Sequence, residues 1–244
     1  MKQNWLEKAP EEILKKIGEL PESFAGFKKE LLERGDVVGD LQILSIEELG
    51  WTDHFGFAVF KVKSMTTGEI YNQEYVSRRG GKFHSLRGII LLSSGGKITH
   101  FVVRKCQRFG IAEEVYESIG NIYQTPEEMR KDKIKMSVYL EDEVKRLLHL
   151  PTMEVDQFYD LGNVYTDVSM FSNIVRIFAL KIKVNDIESI SKYNEKKEFD
   201  DKGYSYKIEI IPISKFYEFF GTVADSFLLA IFGRLQALSV IDFK

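Results

Sequence analysis

The stretch 120–150, GNIYQTPEEMRKDKIKMSVYLEDEVKRLLHL, decides how the rest of the chain is read. It opens on Gly120, passes through a short loop, and continues as one long helix bearing several carboxylates. Thr125 has the side chain of an N-cap, Pro126 suits the first helical position, and Glu128 completes a capping box. Met129, Met136, Leu140, Val144 and Leu147 then fall on one face at helical spacing. Glu143 lies on the flank of that stripe and Asp142 points further away. The helix therefore either holds a metal ion through its carboxylates or only fills a groove.

Outward from this helix, the pattern is one of strands. Upstream, the candidates are 41–46, 55–64 and 69–78, with MTTG (65–68) composed like a hairpin loop between the last two. A second hairpin comes next, with an apolar strand over 86–93, the turn SSGGK, and a return strand over 98–105. Residues 107–120 read as a loop leading into the helix. Downstream, strands are expected around 158–165, 172–184 and 204–211, with an exposed charged loop over 185–203. A helix starts at Ser214 and ends at Gly221, and a final apolar helix spans 225–238. The first 35 residues carry apolar positions at helical spacing, and Pro21 divides them into two helices. Strands, one long helix, more strands and a terminal helix predict an α+β chain arranged as an α/β/α sandwich around a mixed sheet.

Composition narrows the function. A net charge of -3 gives no basic footprint for nucleic acid. The single cysteine excludes an internal disulfide and a multi-cysteine zinc site. The amino-terminal residues lack the apolar segment of a signal peptide, and no run approaches the roughly 18 apolar residues of a membrane span. A cytoplasmic protein without nucleic-acid or membrane partners is expected. There is no phosphate-binding G-x-x-x-x-G-K-[ST] and no strand-glycine dinucleotide fingerprint.

The order of these pieces resembles the Nudix superfamily, in particular its ADP-ribose and nucleoside-diphosphate-sugar pyrophosphatases. The likeness covers about residues 55–240. The segment 55–80, FGFAVFKVKSMTTGEIYNQEYVSRRG, is similar to the amino-terminal hairpin that often forms that branch's dimer contact. The segment 84–110, HSLRGIILLSSGGKITHFVVRKCQRFG, resembles its first core hairpin. YESIGNIYQTPEE (116–128) is similar to the approach to the Nudix box, LGNVYTDVSMFSNIVRIFAL (161–180) to the strands after it, and FFGTVADSFLLAIFGRL (219–235) to the closing helix. The resemblance implies a Nudix-like domain over 84–244, preceded by a helical extension over 1–38 and by strands over 39–83 that form a dimer contact.

In the Nudix box, G-x5-E-x7-R-E-U-x-E-E-x-G-U with U aliphatic, adjacent helix glutamates hold magnesium or manganese through hard oxygens. The cations neutralise the diphosphate and activate water. This chain departs from the box. Gly120 can serve as the first glycine, but Pro126-Glu127-Glu128 puts the first glutamate at least one residue late. If Leu148-His149-Leu150 matches the end, Glu143 takes the first glutamate of R-E-U. Arg146 and Leu147 then replace the glutamate pair, and His149 replaces the glycine. Shifted by one turn, Leu140, Asp142 and Glu143 take U, E and E, but Tyr139 replaces a glutamate and Lys145 the glycine. Neither register supplies three carboxylates with the arginine.

The resemblance thus implies Glu143 and Glu128 as catalytic candidates, and Asp142 with Glu143 as metal ligands for Mg2+ or Mn2+ if the chain is a catalyst. A salt bridge of Glu143 to a neighbouring basic side chain is the plain alternative. Arg104 and Arg108, at and beyond the end of a core strand, face the nucleotide or diphosphate in the family, and with Gly120 they are the candidate ligand-binding residues. A guanidinium's fork of donors suits phosphate. Arg78, Arg79 and Arg87 surround the Gly80-Gly81 turn, as an anion site or as a solvated hairpin end. Cys106 stands beside Lys105, a neighbour that lowers a thiol pKa, but no base partner is recognisable. No two histidines have metal-ligand spacing.

The expectation is a homodimeric protein that binds a nucleoside diphosphate derivative of the ADP-ribose or nucleotide-sugar type. Its metal-dependent pyrophosphohydrolase activity would be weak or absent. The alternatives are an active divergent hydrolase, or an enzyme processing nucleoside-diphosphate sugars on a related fold.

Overall fold

A computed structural model describes residues 4–81, 83–108, 112–120, 141–142, 144–150, 153–165, 174–191, 198–199 and 205–241. The chain divides into two compact units, Met1–His84 with Tyr165–Val175, and Ser85–Val164 with Arg176–Lys244.

In the first unit, α1 (Asn4–Glu7), α2 (Glu11–Glu19) and α3 (Ala25–Glu33) share a core with a four-stranded antiparallel sheet. Its strands are β1 (Val37–Val38), β2 (Leu41–Trp51), β3 (Phe55–Ser64) and β4 (Ile70–Arg78), in that order. Pro10 and Pro21 stand just before the helical turns they introduce, where a missing N–H costs nothing. Ile13 and Ile17, one turn apart, point inward with Phe24, Phe27 and Leu31. On β3 the alternation is strict: Ala58, Phe60 and Val62 are buried, while Lys61 and Lys63 are exposed.

Strand β2 runs further than the expected 41–46. Its buried residues, Ile43, Ile46 and Leu49, recur every third position, which a regular strand cannot point one way. Register shifts between Ile43 and Ser45 and between Ile46 and Glu48 reset the pleat and bring all three inward. Trp5 meets Phe60 edge-on at 5.5 Å, and Phe27 stacks on Tyr75 at 6.2 Å. Helix α3 lies so close to the turn after β4 that a Cβ on Gly26 would sit 2.2 Å from the Gly80 carbonyl carbon.

The second unit is built on a mixed sheet in the order β10 (Glu198–Phe199), β11 (Ser205–Pro212), β6 (Lys97–Arg108), β5 (Phe83–Ser94), β9 (Ile174–Lys183) and β8 (Glu154–Tyr165). Strands β5 (Phe83–Ser94) and β6 (Lys97–Arg108) form an antiparallel hairpin closed by Gly95-Gly96. Strand β11 (Ser205–Pro212) pairs antiparallel with the far side of β6, and β10 (Glu198–Phe199) pairs with β11. On the other side, Gly88 abuts Phe178, and the Ser93 hydroxyl donates to the Ile182 carbonyl at 3.0 Å. Residue numbers rise together, so β9 (Ile174–Lys183) runs parallel to β5. Strand β8 (Glu154–Tyr165) runs antiparallel to β9, as the ion pairs Glu154–Lys183, Asp156–Lys181 and Asp160–Arg176 require.

Helices cover both faces of this sheet. Val144, Leu147 and Leu148, from helical residues 144–148, join Ile90, Val102, Leu180 and Ile208 in one cluster. On the opposite face Phe101 meets Phe216 and Phe219 of α5 (Phe216–Phe220) and Phe232 of α6 (Ser226–Ala237), at 6.0, 5.1 and 5.3 Å. Asp225 caps α6 by accepting from the Leu228 N–H at 2.9 Å. Between β9 and β10 lies the short helix α4 (Ile187–Ser191), inside the segment read as a charged loop.

One strand departs from the reading of 107–120 as a loop. Residues Glu113–Glu117 form β7, paired antiparallel with an extended β6. Its sequence, EEVYE, is too charged and too short to display an apolar alternation. The helix start expected at Thr125, Pro126 and Glu128 lies outside the described residues. None of the described helices is long and apolar enough to cross a membrane.

Candidate anion site

Strands β5 and β6 pair side by side from Ile90 and Val102 toward their turn, then separate. The chain 113–120 enters the fork between them. Glu117 faces Arg104 on β6, and two residues later Ile119 exchanges both backbone hydrogen bonds with Gly88 on β5, at 2.6 and 2.7 Å. Gly120 closes the fork. A Cβ there would lie 2.2 Å from the Leu86 carbonyl oxygen and 3.0 Å from the Arg87 Cα, so only glycine lets the chain pass this close to β5.

The side chains converging on the fork are charged. Arg104 and Arg108 lie four residues apart on one face of β6, and Arg87 comes from β5. All three turn toward Glu117. Arg108 grips its carboxylate with both Nε and Nη2, and Arg104 Nη2 stands 3.1 Å from Oε2. Arg87 is held more loosely, with Nη1 3.9 Å from Oε2 and 3.4 Å from the Ser118 carbonyl it donates to. Arg87 and Glu117 are 7% and 8% exposed, so these charges interact away from bulk water. Arg104 lies over the Tyr206 ring at 5.7 Å and Arg87 over Phe227 at 5.9 Å.

Burial by itself would raise the Glu117 carboxyl. The hydrogen bonds and charge of Arg108, then the charges of Arg87 and Arg104, outweigh it and hold the group at about 2. Burial pushes Arg87 down to about 10, still fully charged at neutral pH. Among the described residues, three guanidiniums face one carboxylate, Glu117. Asp225 feels both Arg87 and Glu117, and burial raises its carboxyl. The Nε atoms of Arg87 and Arg104 and the Ser118 hydroxyl are buried with no hydrogen-bond partner among the described residues.

The structure thus brings Arg104, Arg108 and Gly120 together and adds Arg87 and Glu117. Arg87 belongs to this cluster in the second unit, whereas Arg78 and Arg79 lie in the first. Glu117 escapes a sequence reading because nothing separates it from its strand neighbours Glu113 and Glu114. The available signal is strand phase, which puts Glu117 opposite Arg104. Arg87 carries one as well, being the charge set against the apolar run 89–92.

Cys106 does not have the depressed pKa expected beside Lys105. Neighbours on a strand point to opposite faces, and Lys105 reaches the Tyr116 ring at 5.4 Å instead. Burial, and then the charge of Glu117, push the thiol up to about 11.

Asp142 is exposed on its helix and pairs with Lys145 at 3.8 Å. Glu143 and Glu128 lie outside the described residues. The helix ends in a left-handed residue, His149 at φ 51°, with the Leu150 N–H bonded to the Lys145 carbonyl at 2.9 Å, while Lys145 itself is helical. Glu117 does not fit a divalent cation, because any ion there would face three fixed guanidiniums. Among the described residues no group of three or more His, Cys, Asp or Glu side chains is placed to hold a metal.

No family model and no curated protein sequence matches the chain. Among solved structures it is similar to one described as an ADP compounds hydrolase, with a TM-score of 0.52 and 12% identity over 84% of this chain and 99% of that one. The fold is Nudix-like. At this identity the likeness concerns architecture, and the chemistry has to be argued from the cluster.

Proposed function

We propose that the second unit binds a nucleoside diphosphate derivative, of the ADP-ribose or nucleotide-sugar type, through Arg104 and Arg108 beside Gly120. Magnesium- or manganese-dependent pyrophosphohydrolysis is weak or absent. The observation that carries this reading is the convergence of three guanidiniums on one carboxylate in the fork, with the Nε atoms of Arg87 and Arg104 unbonded among the described residues. Guanidiniums recognise phosphoryl oxygens with paired, directional bonds. The likeness to an ADP compounds hydrolase supports the same ligand class.

The end of the helical residues 144–148 supports weak catalysis. A box glycine belongs at the left-handed residue, which is His149 and not Lys145. In that register Glu143 is kept, but Arg146 and Leu147 stand where the paired glutamates belong. One carboxylate beside an arginine is a poor seat for two divalent cations. Calorimetry of the full chain with ADP-ribose, in EDTA and then in magnesium, tests the proposal. Binding in both buffers with negligible release of AMP is the expected result. Rapid magnesium-dependent hydrolysis that Glu143→Gln abolishes would overturn it. We also take the protein to be a homodimer, which sedimentation will decide.

A further inference from the structure

We infer that Arg87 is itself an anion ligand, and that with Arg104 it supplies the positive charge that holds a phosphoryl group without metal. The inference rests on the binding function proposed above and goes further, by naming the innermost contact and the source of its charge.

The three guanidiniums are unequally occupied. Arg108 commits Nε and Nη2 to Glu117. Arg104 commits one nitrogen at 3.1 Å and keeps a buried Nε that has no partner among the described residues. Arg87 is the most buried of the three and the least engaged. Its contacts are a 3.9 Å ion pair, a 3.4 Å bond to a carbonyl and the Phe227 ring, and its Nε has no partner among the described residues. Taking a guanidinium out of water is costly unless its donors are met, and partly met donors in a low-dielectric site bind an arriving anion strongly.

The Ser118 hydroxyl, fully buried and also unpaired among the described residues, comes directly after Glu117 in the chain, and the Ser118 carbonyl is the one Arg87 donates to. The guanidiniums of Arg87 and Arg104 repel a divalent cation, so metal cannot add to affinity at this point.

Pyrophosphate, titrated calorimetrically into the full chain in EDTA, tests this directly. Wild type binds, and magnesium does not tighten binding. Arg87→Ala weakens it at least tenfold. Arg87→Lys, which keeps a charge but loses the fork, weakens it at least threefold. Circular dichroism confirms that each variant is folded. Should Arg87→Ala not fold, Arg87→Lys decides alone, because Glu117 keeps two arginines and the lysine conserves the charge. A folded Arg87→Ala within twofold of wild type overturns the inference, as does an Arg87→Lys of unchanged affinity where it decides alone, or binding that requires magnesium. ADP-ribose titrated in parallel separates the two levels. If it binds wild type and is lost in Arg104→Ala but not in Arg87→Ala, this inference fails while the proposed function stands. If ADP-ribose never binds, the proposed function fails whatever pyrophosphate does.

Discussion

Glu117 is a buried carboxylate that three arginines hold ionised, so its contribution to stability must depend on pH. Its folded pKa of about 2 lies below the ordinary 4.5. A depressed carboxyl stabilises above the ordinary value, and that stabilisation is lost as pH falls from about 4.5 toward about 2. The difference corresponds to about 3 kcal/mol at neutral pH. Glu117→Gln is therefore expected to lose about that much at pH 7, lowering Tm by roughly 6–12 °C for a chain of this size. Between pH 4.5 and 2 its stability should fall less steeply than that of wild type. Denaturant midpoints across this range measure both effects. Equal acid sensitivity in the two proteins would mean that Glu117 is not the group being titrated.

At the scale of elements, the sequence discloses what alternates and conceals what is interrupted. Strands β3 and β4 and the β5–β6 hairpin show their apolar residues in phase or flank a glycine turn, and their expected limits agree with the structure to within a few residues. Strand β2 hides because its buried residues recur in threes, and only the bulges reconcile them with one face. Strand β7 hides because its role is electrostatic: it delivers Glu117 to the fork and buries little else. The site was half legible for the same reason. Arg104 and Arg108 stand at the end of a recognisable strand, but Arg87 and Glu117 become a pair only when non-adjacent strands meet. Gly120, three residues beyond the end of β7, shows how tightly that strand is tied to β5. Gly120→Ala would drive a methyl group into the Leu86 carbonyl and force β5 outward. A loss of about 3 kcal/mol is expected, together with weakened pyrophosphate binding, since Arg87 rides on the displaced strand. Thermal melts and calorimetry on the one variant check both.

At the scale of the whole molecule, the chain builds two cores from different means. The first joins helices to a small antiparallel sheet through rings, with Trp5, Phe27, Phe60 and Tyr75 in contact. The second encloses a mixed sheet between helices, with aliphatic side chains on one face and phenylalanines on the other. Both tryptophans, Trp5 and Trp51, belong to the first unit. Phe27 is fully buried there, and Phe27→Ala should cost about 3–5 kcal/mol. Tryptophan emission should move to longer wavelength as Trp5 loses its dry surroundings. An unshifted spectrum at reduced stability would place the damage elsewhere. The layered order of the second unit was foreseeable from the alternation of strand and helix patterns in the sequence. The first unit's shared core was not, because nothing in a helical period says which strands it will lie on.

The lone cysteine has a practical consequence. Cys106 is 4% exposed and lies on β6 between the two arginines, with its thiol raised to about 11. A disulfide reagent at neutral pH meets neither a reachable sulfur nor a thiolate, so modification waits for that strand to come free. The rate of that single reaction is thus a stopwatch built into the wild-type chain. Read with and without an occupant in the fork, it times how tightly the occupant keeps the fork shut.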